Sequence, residues 1–113
     1  MEKLLEAFHP YISQHKHFDL VLSKFGPLYV YPVDRQGELH EAEVLDGPKG
    51  IVETVAFQMI CDAIEVDPSG EITKEMLSSV GSRVLSCMAE LESADDYAKI
   101  LERYLKQFEE AAL

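Results

Sequence analysis

No apolar run in this sequence approaches the roughly 20 residues that a helix needs to cross a bilayer. The first residues, MEKLLEAFHPY, put acids and a proline where a signal peptide would carry an apolar core. A cytoplasmic protein with no membrane partner is expected. Cysteine is scarce. Cys61 and Cys87 have no second Cys or His at metal-ligand spacing, a pattern that fits a reducing compartment better than a disulfide scaffold. Both are read as thiols. Bases are outnumbered, 10 against 21 acids, and the resulting net charge of −11 repels phosphate backbones, which argues against nucleic-acid binding. Such a surface keeps a chain soluble, and any partner it attracts by charge is basic.

Motifs that carry chemistry are missing as well. There is no Gly-x-Ser-x-Gly elbow, and Gly47 and Gly50 flank a proline and precede no glycine-lysine-serine signature, so no phosphate loop is present. Neither cysteine has a basic sequence neighbour that would obviously lower its pKa. Paired acids such as Glu41 and Glu43 are ordinary on an outward strand face. The histidines, His9, His15, His17 and His40, all fall in the first 40 residues. A helical chelate needs two of them four apart, whereas His15 and His17 share a face only in an extended segment, so no metal site is expected. No cofactor and no catalytic activity are implied.

What is present describes a fold. At 113 residues the chain is expected to form a single domain and to bury about 65% of the surface its unfolded form exposes. Its clearest stretch is Gly50–Val66, where Ile51, Val52, Val55, Ala56, Phe57, Met59, Ile60, Ala63 and Ile64 cover roughly 240° of a helix. An arc that wide needs cover on two sides, and Val55 and Met59 are expected to be fully buried. Upstream, Leu4, Leu5, Phe8, Tyr11, Ile12 and His15 keep helical spacing, with Pro10 forcing either a kink at His9 or a second short helix.

Between Phe18 and Leu45 the apolar period changes to two, which predicts three strands at about 18–24, 28–33 and 39–45 in an antiparallel meander. A three-residue loop Arg35-Gln36-Gly37 sets Asp34 opposite Glu38, and the register follows. Leu28 then faces Val44, Val30 faces Ala42 and Pro32 faces His40, and these pairs are expected to form the core side. The other side carries Tyr29 beside Glu43, Tyr31 beside Glu41 and Val33 beside Leu39.

Downstream, Thr73 can cap a helix running to about Leu91, and Ser93 with Asp96 offers a variant capping box for a last helix bearing Tyr97, Ile100, Leu101, Tyr104, Leu105 and Phe108. The short link makes the two a helical hairpin. The third helix also carries a small-residue face, Ser78, Ser82, Ser86 and Ala89, with Gly81 nearby.

The expectation is an α+β domain: an N-terminal helix, a three-stranded antiparallel meander, a central helix and a C-terminal helical hairpin. In function it is expected to be a protein–protein interaction module of adaptor, chaperone or immunity type, acting as a homodimer or on a basic partner. Its expected contact surface is Tyr29, Tyr31, Val33, Leu39, Glu41 and Glu43, because four adjacent apolar groups on one sheet face mark an interface more often than scattered ones do. The terminal helices folding over that face would instead make it a second core layer. The alternative function is a small-molecule or metal-ion site near His15, His17 and His40.

Overall fold

The computed structural model describes residues 1–32 and 40–112 and has the expected α+β order of elements. Two compact units divide the chain, Met1–Ile51 and Val52–Leu113.

In the first unit, helix α1 (Glu2–Gln14) runs through Pro10 without interruption. The helix tolerates this because Pro10 lies on its exposed side, while Leu4, Phe8 and Ile12, four apart, form the buried stripe. His15 ends the helix in extended conformation, and its N–H donates to the Ile12 carbonyl at 3.1 Å. Strands β1 (Asp19–Ser23), β2 (Gly26–Pro32) and β3 (His40–Val44) make an antiparallel sheet in that spatial order.

The β2–β3 register is the expected one: Leu28 opposes Val44, Tyr29 opposes Glu43, Val30 opposes Ala42, Tyr31 opposes Glu41 and Pro32 opposes His40. The expected Val33–Leu39 pair and the loop at 35–37 lie outside the described residues. In the β1–β2 turn the Ser23 hydroxyl donates to the Gly26 carbonyl at 2.8 Å and accepts the Phe25 N–H at 3.1 Å. Gly26 sits there at φ +117°, a backbone conformation that side chains rarely allow.

Helix α2 (Gly47–Val66) starts three residues before the expected Gly50, so the Asp46–Gly50 turn cluster is its first turn. Pro48 is harmless so near a helix start, where its missing N–H would have had no partner. Gly50 is obligatory: a Cβ there would lie 2.6 Å from the Leu45 Cβ. Leu45 in turn donates its N–H to the Pro27 carbonyl at 2.9 Å, which ties the helix start to the sheet.

From Val52 onward α2 belongs to the second unit. Val55 and Met59 are buried as expected, with 0% and 1% of their surface exposed. Phe57 is 44% exposed, so it does not belong to the buried arc, and the buried residues cover roughly 200° rather than 240°.

Helix α3 (Lys74–Met88) begins at Thr73, whose Oγ1 accepts the Met76 N–H at 3.1 Å as the sequence suggested. It ends at Met88, short of Leu91, where the chain turns with the Leu91 N–H on the Met88 carbonyl. Helix α4 (Ala94–Ala112) follows, with Asp95 and Asp96 in its first turn and the Ser93 carbonyl accepting the N–H groups of Asp96 and Tyr97. The α3–α4 hairpin packs closely at Gly81, where the space for a Cβ ends 3.1 Å away on Leu105 Cδ1.

Candidate functional site

A sheet has two sides, and the strand register assigns each residue to one of them. On one side stand Leu20, Leu22, Pro27, Tyr29, Tyr31 and Glu43, with Leu22 the exposed apolar residue of that side at 41%. On the other stand Asp19, Val21, Leu28, Val30, Ala42 and Val44.

The register pairs Leu28–Val44 and Val30–Ala42 of the second group are the expected core side, and the structure reverses that. Val44 is 58% exposed, Val21 is 39% exposed and Ala42 is open, whereas Leu20 is 7% exposed and Pro27 is fully buried. The physical reason is the cover that the chain supplies. Helix α1 packs on β1, and buried Phe18, just before β1, lies against the Tyr29 side. The Phe18 and Tyr29 ring centroids are 5.8 Å apart, and Tyr29 and Tyr31 are 4.9 Å apart.

Of the contact residues expected from sequence, Tyr29 and Tyr31 are therefore half-buried members of a ring row. Glu43 is exposed beside Tyr29, Glu41 takes its ladder position opposite Tyr31, and Val33 and Leu39 lie outside the described residues. The row continues to the end of α1: the His15 ring centroid lies 4.6 Å from that of Phe18 and 5.6 Å from those of Tyr11 and His17. His15 Nδ1 accepts the His17 N–H at 3.1 Å, so that nitrogen is committed to holding the helix-to-strand joint. Among the described residues no three His, Cys, Asp or Glu side chains come together to hold a metal ion.

The open side was missed in sequence because its signal is exposure, which alternation alone does not give. Val21, Leu28 and Val44 oppose one another across the three strands, next to the β1–β2 turn. That turn presents Phe25, 74% exposed, with the Lys24 ammonium 5.2 Å from its ring centroid. Val21, Leu28 and Val44 form an apolar row across the sheet, and Asp19 is the one acid that the described strand residues place on that side.

In the second unit burial shifts three ionisable groups. Burial, then Asp62 and Glu65, push the Cys61 thiol up, and burial pushes up Cys87 against the opposing pull of Arg83. A raised thiol stays protonated at neutral pH and is a poor nucleophile. Burial, followed by the charges of Glu53 and Cys61, pushes the Tyr104 phenol up to about 12. A groove of about 400 Å³ lies between α3 and α4, with Leu77 and Leu105 as apolar lining and Lys74, Lys106, Glu102 and Glu109 as charged lining. Its charges cancel, and Lys74 reaches Glu109 at 3.9 Å across it. The serine face of α3, Ser78, Ser82 and Ser86 with Ala89, is open to solvent.

Among the described residues no helix is long and apolar enough to cross a membrane. The chain matches no protein-family model, no curated protein and no solved structure.

Proposed function

We propose that this chain is a protein–protein interaction module that binds a second copy of itself through the aliphatic side of its sheet, and that it works by contact rather than by catalysis. The observation that supports this reading is the open apolar row of Val21, Leu28 and Val44, with exposed Phe25 on the adjoining turn whose backbone is held by Ser23. A flat aliphatic surface complements its own copy, and packing two such sheets about 10 Å apart is a standard way of burying them. A contact through this side also leaves most of the net charge of −11 outside the interface, with Asp19 and Asp46 at its margins. A reducing, cytoplasmic setting fits the two free thiols.

Magnitude decides what kind of dimer this is. Three strands at about 4.8 Å spacing, each about five residues long at about 3.3 Å per residue, present roughly 240 Å² per copy. A stable complex buries about 800 Å² per partner, so the proposed dimer is a weak, reversible one that forms at high local concentration. The test is sedimentation of the wild type and of the Val21→Asp, Val44→Asp double variant over a wide concentration range. Both positions are exposed, so the variant stays folded and loses concentration-dependent association. An unchanged association would move the contact elsewhere, and a wild type that is monomeric at every concentration would refute self-contact.

A further inference from the structure

We propose that the outer edge of β3 takes an extended segment of a basic partner protein as an added strand, with Lys or Arg residues set opposite Glu41 and Glu43. This goes beyond self-contact through the aliphatic side and does not rest on it, since pairing along an edge leaves both sides of the sheet free.

The spatial order β1-β2-β3 leaves β1 and β3 at the edges of the sheet among the described residues. The two edges differ. On β1 the Asp19 carboxylate accepts the Leu20 N–H at 2.8 Å, and α1 packs on that strand. On β3 the Leu45 N–H donates to the Pro27 carbonyl, which fixes the alternation of the ladder. Leu45, Glu43 and Glu41 turn their backbone groups towards β2, and Val44, Ala42 and His40 turn theirs away from it. Ala42, Glu43 and Val44 are all exposed, so both sides of the strand are open there. A row of outward N–H and C=O groups is the template on which an extended peptide adds a strand.

Charge decides between a second copy and a different protein. A two-fold axis pairs two β3 edges antiparallel, with outward residues facing outward residues. Any such register that joins more than the end residues of His40–Val44 is centred on Glu41, Ala42 or Glu43. The Ala42 centre sets Glu41 opposite Glu43 in both halves, and each of the other centres sets a glutamate opposite its own copy. Like charges directly opposite are destabilising, so β3 is blunted against itself. The same positions favour a strand of opposite charge. A segment with Lys or Arg at every second residue faces Glu41 and Glu43, and the apolar residue between them lies opposite Ala42 on the aliphatic side. Asp46, exposed just past the strand, and the net charge of −11 steer a basic segment towards this edge.

The test titrates a blocked synthetic peptide, Thr-Lys-Val-Lys-Thr, into the full chain at neutral pH and low salt, with the chain at about 5 µM to keep self-association out of the reading. Binding is read by fluorescence anisotropy of the labelled peptide and by amide hydrogen exchange of the chain. The peptide is expected to slow exchange at Ala42 and Val44. N-methylation of its valine, which removes the backbone donor meant for the edge, is expected to weaken binding about tenfold. A peptide with the sequence of β3 itself, His-Glu-Ala-Glu-Val, is expected to bind at least about tenfold more weakly than the basic one. Ala42→Pro removes an outward N–H at an edge position where proline is tolerated and is expected to abolish binding. Glu43→Lys is expected to remove the preference for the basic peptide. Circular dichroism checks both variants, and if Ala42→Pro does not fold, the N-methylated peptide and Glu43→Lys decide. Equal binding of the N-methylated peptide would overturn strand addition, and equal binding of the β3 peptide would give the edge to a second copy. No binding up to about millimolar peptide, or protection at β1 in place of Ala42 and Val44, would overturn the proposal and leave self-contact through the aliphatic side standing.

Discussion

Leu20→Ala and Val44→Ala test which side of the sheet is core, because the two residues sit on opposite sides of one three-stranded sheet and exchange order if the assignment is wrong. Leu20 is 7% exposed, so truncation removes three carbon groups almost wholly from a dry environment. At about 0.8 kcal/mol each the transfer term is about 2 kcal/mol, and the cavity left under Phe18 and Tyr29 raises the total to about 2–4 kcal/mol. Val44 is 58% exposed, and removing two carbon groups with less than half of their burial costs about 0.6 kcal/mol. For a chain of 113 residues about 1 kcal/mol corresponds to about 4 °C in melting temperature. Thermal denaturation followed by far-ultraviolet circular dichroism, at about 5 µM to keep association out of the reading, is expected to show Leu20→Ala melting about 8–16 °C lower and Val44→Ala about 2 °C lower. A larger loss for Val44→Ala would refute the reversal and return the aliphatic side to the core.

Gly50→Ala is expected to destabilise by about 1–3 kcal/mol in urea unfolding, since its Cβ would stand 2.6 Å from that of Leu45; a neutral result would mean that the helix start is not packed on Leu45. The Tyr104 phenol, pushed up to about 12, is expected to ionise well above the usual phenol range in an absorbance titration. Because its folded pKa lies above the unfolded value near 10, the native state keeps this proton longer, so the contribution to stability is complete below about pH 10 and is lost as the pH rises towards 12. A tyrosine set that titrates together near 10 contradicts the burial of Tyr104. Chelator treatment is expected to leave the melting temperature unchanged, since no three-donor group forms among the described residues; a fall would reveal a metal bound to the native state.

Much of the fold was legible because short-range rules act on it strongly. The period-two pattern between Phe18 and Leu45, joined by an assumed three-residue loop Arg35-Gln36-Gly37, gave the five described β2–β3 pairs in register, and a slip by one residue would have turned every side chain over. Thr73 announced the α3 start through its side-chain oxygen, and the apolar density of Ile51–Ile60 marked the helix buried over its widest arc. The face of the sheet was not legible. Leu20, Tyr29 and Tyr31 on one side and Val21, Leu28 and Val44 on the other are comparably apolar, so alternation fixes which residues share a side but not which side is covered. Phe18 and the end of α1 decide that through ring contacts, which connect residues from Tyr11 to Tyr31 and have no periodic signature. Phe57 misled for a related reason, as its apolar side chain falls at the margin of the α2 arc and stays in solvent.

Self-contact through the aliphatic side of the sheet is tested most directly by recording backbone amide spectra of the uniformly labelled wild type across a dilution series from about millimolar to about 10 µM. Concentration-dependent shifts are expected at Val21, Leu28, Val44 and the Lys24–Phe25 turn, with α3 and α4 unmoved. Shifts confined to the helical hairpin, or spectra that do not change with concentration, would contradict it.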